Sequence, residues 1–199
     1  RPTDRHRHAR ESADLVGERD ETEGVTIAVE NMYPGRSRKR EMQAYLPGWD
    51  PSEHGYEHVT LALSHAAVAQ QDALALLDVF DGRLAHVHLA DGSSSITDEH
   101  LVPGRGDQPC DLVLAELVRR GWEGDVVVEI STRRARTAAE RREDLAASLF
   151  FARTYLTPGP HRGYSPPPGP PRRRGGAGGG AGAREIAAAE DAAGSAGTG

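Results

Sequence analysis

Cysteine occurs once in the 199 residues, at Cys110, so no internal disulfide can form and a disulfide-stapled secreted scaffold is excluded. Cys110 has no paired base near it in the sequence and reads as an inert thiol. Lysine is almost as scarce, with Lys39 the only one among 24 basic residues. The arginines that take its place are scattered among Glu and Asp under a net charge of −6, the pattern of solvated helix faces rather than of a basic stripe. Nothing here demands a nucleic-acid partner. No apolar run approaches the roughly 20 residues of a membrane span, and the opening Arg1-Pro-Thr-Asp-Arg-His has no apolar signal segment. A cytoplasmic protein without a membrane partner is the expectation, and His6 and His8 read as part of a solvated terminus.

Large apolar residues also nearly vanish beyond Thr157, where only Tyr164 and Ile186 remain. Tyr164-Ser-Pro-Pro-Pro-Gly-Pro-Pro, Arg172-Arg-Arg and the glycine run from Gly175 have almost nothing to bury, so residues 157–199 are expected to form a disordered tail. Pro166 to Pro171 would suit a proline-recognition groove, although such tails more often serve as solvated linkers.

Residues 1–156 are richer, and their pattern alternates strand with helix. A charged stretch from about Arg10 to Glu23, with Ala13, Leu15 and Val16 as a thin apolar stripe, predicts a helix closed by Gly24. Val25 to Val29 reads as a buried parallel strand. Six prolines and glycines between residues 31 and 58 predict a long loop, with one helical turn near Arg40. A strand over Val59 to Leu63, a helix over Ala67 to Phe80 and a strand over Leu84 to Leu89 follow. A helix over Asp111 to Arg120 is expected to bury Leu112, Leu114, Leu117 and Val118. The last strand covers Asp125 to Ile130, and the last helix, about Thr137 to Tyr155, should turn Leu145, Ala146, Leu149 and Phe150 to the sheet. Such alternation predicts a parallel sheet with right-handed crossovers.

Each apolar run ends in a side chain that can bind a metal or move a proton: Glu30, His65, His86 and His88 with Asp91 just beyond, and Glu129. The two-residue period puts His86 and His88 on one side of their strand. Carboxylates and imidazoles gathered at the C-terminal ends of successive parallel strands are how an α/β barrel builds a divalent-metal site. The plainer alternatives are a loop-capping Glu30, a satisfied strand-end His65, and Asp98 and His100 as ordinary loop residues.

Five motifs in order, Glu30-Asn-Met-Tyr-Pro, Leu63-Ser-His65, His86-Val-His88-Leu-Ala-Asp91, Asp98-Glu-His100 with Gly104-Arg-Gly106, and Val127-Val-Glu129, resemble the sugar phosphate isomerase/epimerase family with a xylose isomerase-like barrel. Its superfamily also holds the type IV apurinic endonucleases. The resemblance covers about residues 10 to 155 and implies a partial α/β TIM barrel, strands five to eight with their helices. A complete barrel takes about 250 residues. It implies a divalent metal (Mn, Mg, Co or Zn) on Glu30, His65, His88 and Glu129, with Glu30 and Glu129 as the two acid/base groups. Asp98 and His100 match a pair that serves a further metal in the endonucleases, His86 stands beside the site, and Arg105 would hold a substrate phosphate or hydroxyl. Ala62 departs from the pattern, because the family usually has Asp there; water or Asp91 would have to fill the place.

The implied function is a metal-dependent sugar or sugar-phosphate isomerase/epimerase working through an enediolate, truncated and impaired to the extent that Ala62 and the missing strands matter. An apurinic-site metal nuclease and a non-catalytic fragment are the alternatives. An open half-barrel also predicts self-association through its edges.

Overall fold

The computed structural model describes residues 11–19, 24–37, 40–42, 45 and 49–158. The chain separates into two compact units, Arg1–Gly169 and Pro170–Gly199, of which the second lies outside the described residues together with most of the tail expected to be disordered.

Continuous apolar runs form the centre of the first unit. Val59–Ala62 (β4) is fully buried, and it pairs in parallel with Val29–Glu30 (β1) on one side and Leu84–Leu89 (β5) on the other. Asp125–Val128 (β6) pairs in parallel with β5, giving one four-stranded sheet in the order β1-β4-β5-β6. The strand-helix alternation expected a parallel sheet, and the sheet is parallel throughout. Between β1 and β4, where a loop with a helical turn near Arg40 was expected, Gly35–Ser37 (β2) and Arg40–Met42 (β3) form an antiparallel pair. A short 3-10 turn, Pro51–Glu53, follows, capped by Asp50.

A helix over residues 11–19 (α1) precedes β1. Leu63–Ala69 (α2) and Ala73–Val79 (α3) follow β4, Cys110–Arg119 (α4) precedes β6, and Ala138–Leu156 (α5) closes the described chain. The core lies between the sheet and these helices, built on Leu61, Leu63, Leu77, Phe80, Val87, Leu89, Val113, Leu114, Leu117 and Phe151. Among the described residues no helix is long and apolar enough to cross a membrane.

Several elements differ from expectation for identifiable reasons. The run from Val25 is strand only at Val29–Glu30: among the described residues β1 pairs with β4 alone, and Val25, beyond the pairing, is 60% exposed. The helix expected over Ala67 to Phe80 is two helices. Gln70 adopts φ +57°, and the Asp72 side chain accepts from the amides of Leu74 and Ala75 to start the second. On α4 the buried face is Cys110, Val113, Leu114 and Leu117, while Leu112 is exposed and Val118 half-buried. On α5 the buried residues are Ser148, Phe151, Ala152 and Tyr155, whereas Leu145, Ala146, Leu149 and Phe150 are exposed. Burial of the large Phe151 and Tyr155 rings, whose centroids are 4.7 Å apart, sets the rotation of this helix.

Candidate metal centre

The sheet register puts the candidate residues on one face. Thr60 lies beside Glu30 on one side and His86 on the other, and His86 beside Asp125; one rung on, Ala62 is opposite His88 and His88 opposite Val127. Side chains two apart share a face, so Glu30, His86, His88 and, just past β6, Glu129 rise on the same side at the C-terminal ends of their strands. Because β4 gives way to helix immediately after Ala62, His65 sits in the first turn of α2 rather than on a strand, only 6% exposed.

Among the described residues two groups of three converge there. In the first, His88 Nδ1 is 2.7 Å from Glu30 Oε1 and 3.2 Å from Glu129 Oε2. In the second, Asp98 Oδ2 is 2.8 Å from His100 Nε2 and 3.4 Å from His65 Nε2. His65 Nδ1 also approaches Glu30 Oε1 at 3.4 Å, which joins the two groups. One donor atom from each member of a group lies within 4.8 Å of the others. His86 packs edge-on against His88 at 5.1 Å and belongs to neither.

The protons of these imidazoles test whether a cation fits. His65 Nδ1 is 2.9 Å from the Asn31 carbonyl and His100 Nδ1 is 2.8 Å from the Glu129 carbonyl. A carbonyl only accepts, so each Nδ1 must donate, and each Nε2 then turns toward the same Asp98 oxygen. That arrangement needs either two imidazolium rings or a cation among the three groups. Asp98 Oδ1 is buried with no hydrogen-bond partner, a further acceptor without a donor. Oxygen donors mixed with imidazole suit Mn, Co or Zn, and the residues present fit such a group.

Electrostatics follow the same contacts. Burial alone would lower His65, but the contact with Asp98 and the charge of Glu30 outweigh it and raise its pKa. Hydrogen bonding to Glu30 raises His88 against an opposing effect of burial. Burial would raise Asp98, yet the His65 contact and the charge of His100 hold it below the usual carboxylate range.

Ala62 is fully buried, and its peptide is clasped from β1: Asn31 Nδ2 donates to the Ala62 carbonyl at 3.2 Å, while the Ala62 amide donates to Asn31 Oδ1 at 2.7 Å. Asp91 does not fill the place of the usual aspartate. Its carboxylate accepts from the backbone amides of Gly92, Gly104, Gly106 and Gln108 instead. Arg105 is engaged as well, Nη1 donating to Asp144 of α5 at 2.6 Å. Tyr33, its ring 5.1 Å from that of His65, adds a hydroxyl at the centre's edge; burial and then the Asp98 charge raise its pKa. Reasoning from sequence missed Tyr33 and Asn31, although both stand in the motif that begins at Glu30, because only the fold shows which neighbours of a ligand turn inward.

A parallel sheet with acidic and imidazole groups at its C-terminal edge defines a barrel-type α/β protein with a candidate metal centre. Residues 1–155 match the family model of the xylose isomerase-like TIM barrel, and the chain belongs to that family. It is 41% identical over 169 residues to an uncharacterized protein of Mycobacterium tuberculosis, an alignment covering 75% of this chain and 60% of that one. The chain thus spans about three-fifths of that relative's length. Over 65 residues it is 31% identical to fructoselysine 3-epimerase of Escherichia coli, covering 33% of this chain and 23% of the epimerase. The crystal structure of a D-tagatose 3-epimerase-like protein superposes with a TM-score of 0.50 at 22% identity, over 72% of this chain and 54% of that one, a likeness of fold.

Proposed function

We propose that the chain carries the catalytic edge of a divalent-metal-dependent sugar or sugar-phosphate isomerase/epimerase, its four-stranded sheet corresponding to strands five to eight of the barrel. The observation that supports this most is the convergence of Glu30 and Glu129 on one imidazole nitrogen, at 2.7 and 3.2 Å. Epimerisation beside a carbonyl requires a base to remove a proton and an acid to return one to the other face of the carbon. Carboxylates on opposite edges of one sheet, meeting across His88, are arranged for those two tasks. Glu30, His88 and Glu129 would hold a divalent cation, which when bound would supply Lewis acidity beside the substrate carbonyl. His65 lies beside Glu30, its Nδ1 3.4 Å from Oε1, and the Tyr33 hydroxyl is a hydrogen-bond donor for the substrate. The Escherichia coli relative, a fructoselysine 3-epimerase, supports the class of reaction without naming the sugar.

The test is a panel of ketoses and ketose phosphates with Mn or Co, run on the chain and on Glu30→Gln and Glu129→Gln. The reading expects proton exchange with solvent at the carbon next to the carbonyl, lost in either variant. Exchange equal in all three proteins contradicts it.

The group of His65, Asp98 and His100 favours a second reading, an apurinic-site nuclease with more than one metal. Cleavage of abasic DNA without ketose turnover would select it, and the net charge of −6 weighs against it. A third reading, a non-catalytic fragment, predicts neither activity. We also infer a cytoplasmic location and self-association of two copies. Among the described residues β1 and β6 have no partner on their outer sides, and Val127, Leu145 and Leu149 lie exposed on β6 and α5.

A further inference from the structure

Asp91 is completely buried, and its charge is met by four backbone amides rather than by a cation. Oδ2 accepts from Gly104 and Gly106 at 2.8 Å each; Oδ1 accepts from Gly92 at 2.8 Å and Gln108 at 3.1 Å. The four donors span the whole segment between β5 and α4. The Asp91 backbone holds the middle of the same segment, exchanging 2.8 Å hydrogen bonds with Leu101 in both directions. Leu101 follows His100, whose backbone stands at φ +46°. A histidine held in the left-handed region persists only where its surroundings over-determine it. There is no slack: a Cβ on Gly106 would lie 2.2 Å from Asp91 Oδ1 and 2.4 Å from the Gly92 carbonyl.

We propose that Asp91 is a positioning residue that sets the loop of residues 92–108 so that Asp98 and His100 are held against His65. It acts through the backbone and touches neither group of donors. What it positions rests on the metal-centre reading above; how it does so is independent of any metal. Its neighbours divide the remaining work. Ser93 donates to Glu99 within the loop, and Arg105 ties the loop to Asp144 on α5.

The experiment compares the full chain with Asp91→Asn, which turns an amide group against the donors, and with Gly106→Ala, which leaves the carboxylate in place but crowds it. In metal-free protein, nitrogen-detected NMR should show the His100 Nδ1–H bonded to the Glu129 carbonyl, and slow amide exchange at Gly104 and Gly106. Both variants should lose the His100 signature and speed exchange at the amides of residues 104 and 106 about tenfold or more, while sheet amides such as Leu61 and Val87 keep their protection. Zinc titration followed through ring resonances should then show weakening of about tenfold or more at His100, with His88 changed by less than twofold. An unchanged His100 signature in both variants overturns the proposal, as does equal weakening at His100 and His88. If zinc binds nowhere in the parent chain, the metal-centre reading fails, and the metal-free spectra still decide the role of Asp91. If Asp91→Asn does not fold, Gly106→Ala carries the comparison.

Discussion

His65 and His100 show how far single side chains are constrained here. Each spends its Nδ1 proton on a backbone carbonyl and turns Nε2 to one aspartate oxygen, a geometry that asks for protons or for a cation. The two compete, so pH should report on them. His65 and His88 have pKa values raised from the ordinary 6.5, so the stability they contribute is fully present below 6.5 and is lost as pH climbs through the raised values. Asp98, lowered from 3.8, contributes above 3.8 and loses its contribution as pH falls through the lowered value. Metal-free protein should therefore be most stable between about pH 4 and 6.5 and melt at lower temperature at pH 8 than at pH 6. Manganese or zinc should reverse that order, because neutral imidazoles bind the cation. A melting temperature that rises from pH 6 to 8 without metal would contradict the assignment.

Elements were legible where one physical signal dominated. The strand over Leu84 to Leu89 has its expected bounds, because a β-rich apolar run stands between the Asp81-Gly82 turn and a polar loop. That Glu30, His88 and Glu129 share one face was legible for the same reason, as a strand's period fixes the face of residues at or just past its end. Helix faces were harder. On α5 two apolar stripes compete, and the one holding Leu145 and Leu149 lost to Phe151 and Tyr155 through packing that no periodicity encodes. The break between α2 and α3 was missed because Gln70 gives no warning of a left-handed backbone. That strain predicts a gain: Gln70→Gly should stabilise the chain by about 1 kcal/mol in urea unfolding at constant slope. A loss of stability would show that the Gln70 side chain matters more than its backbone.

At the scale of the whole molecule, a chain spanning about three-fifths of its mycobacterial relative presents a sheet whose two edge strands have, among the described residues, no partner on their outer sides. Sedimentation velocity is expected to show concentration-dependent association at micromolar protein, and Leu145→Glu with Leu149→Glu to weaken it without lowering the melting temperature; a strictly monomeric chain would contradict this. The central claim is that Glu30, His88 and Glu129 form a metal centre despite Ala62. Outer-shell partners alone are worth about 10–100-fold in metal affinity, so a missing ligand should cost at least as much and its return should be measurable. Calorimetric titration of Mn and Zn into the chain, Ala62→Asp and His88→Ala tests this most directly. The account predicts binding at one or more sites in the chain, tighter binding in Ala62→Asp by about tenfold or more, and loss of that site in His88→Ala. Binding weaker than millimolar in both the chain and Ala62→Asp, or binding indifferent to His88, would contradict it.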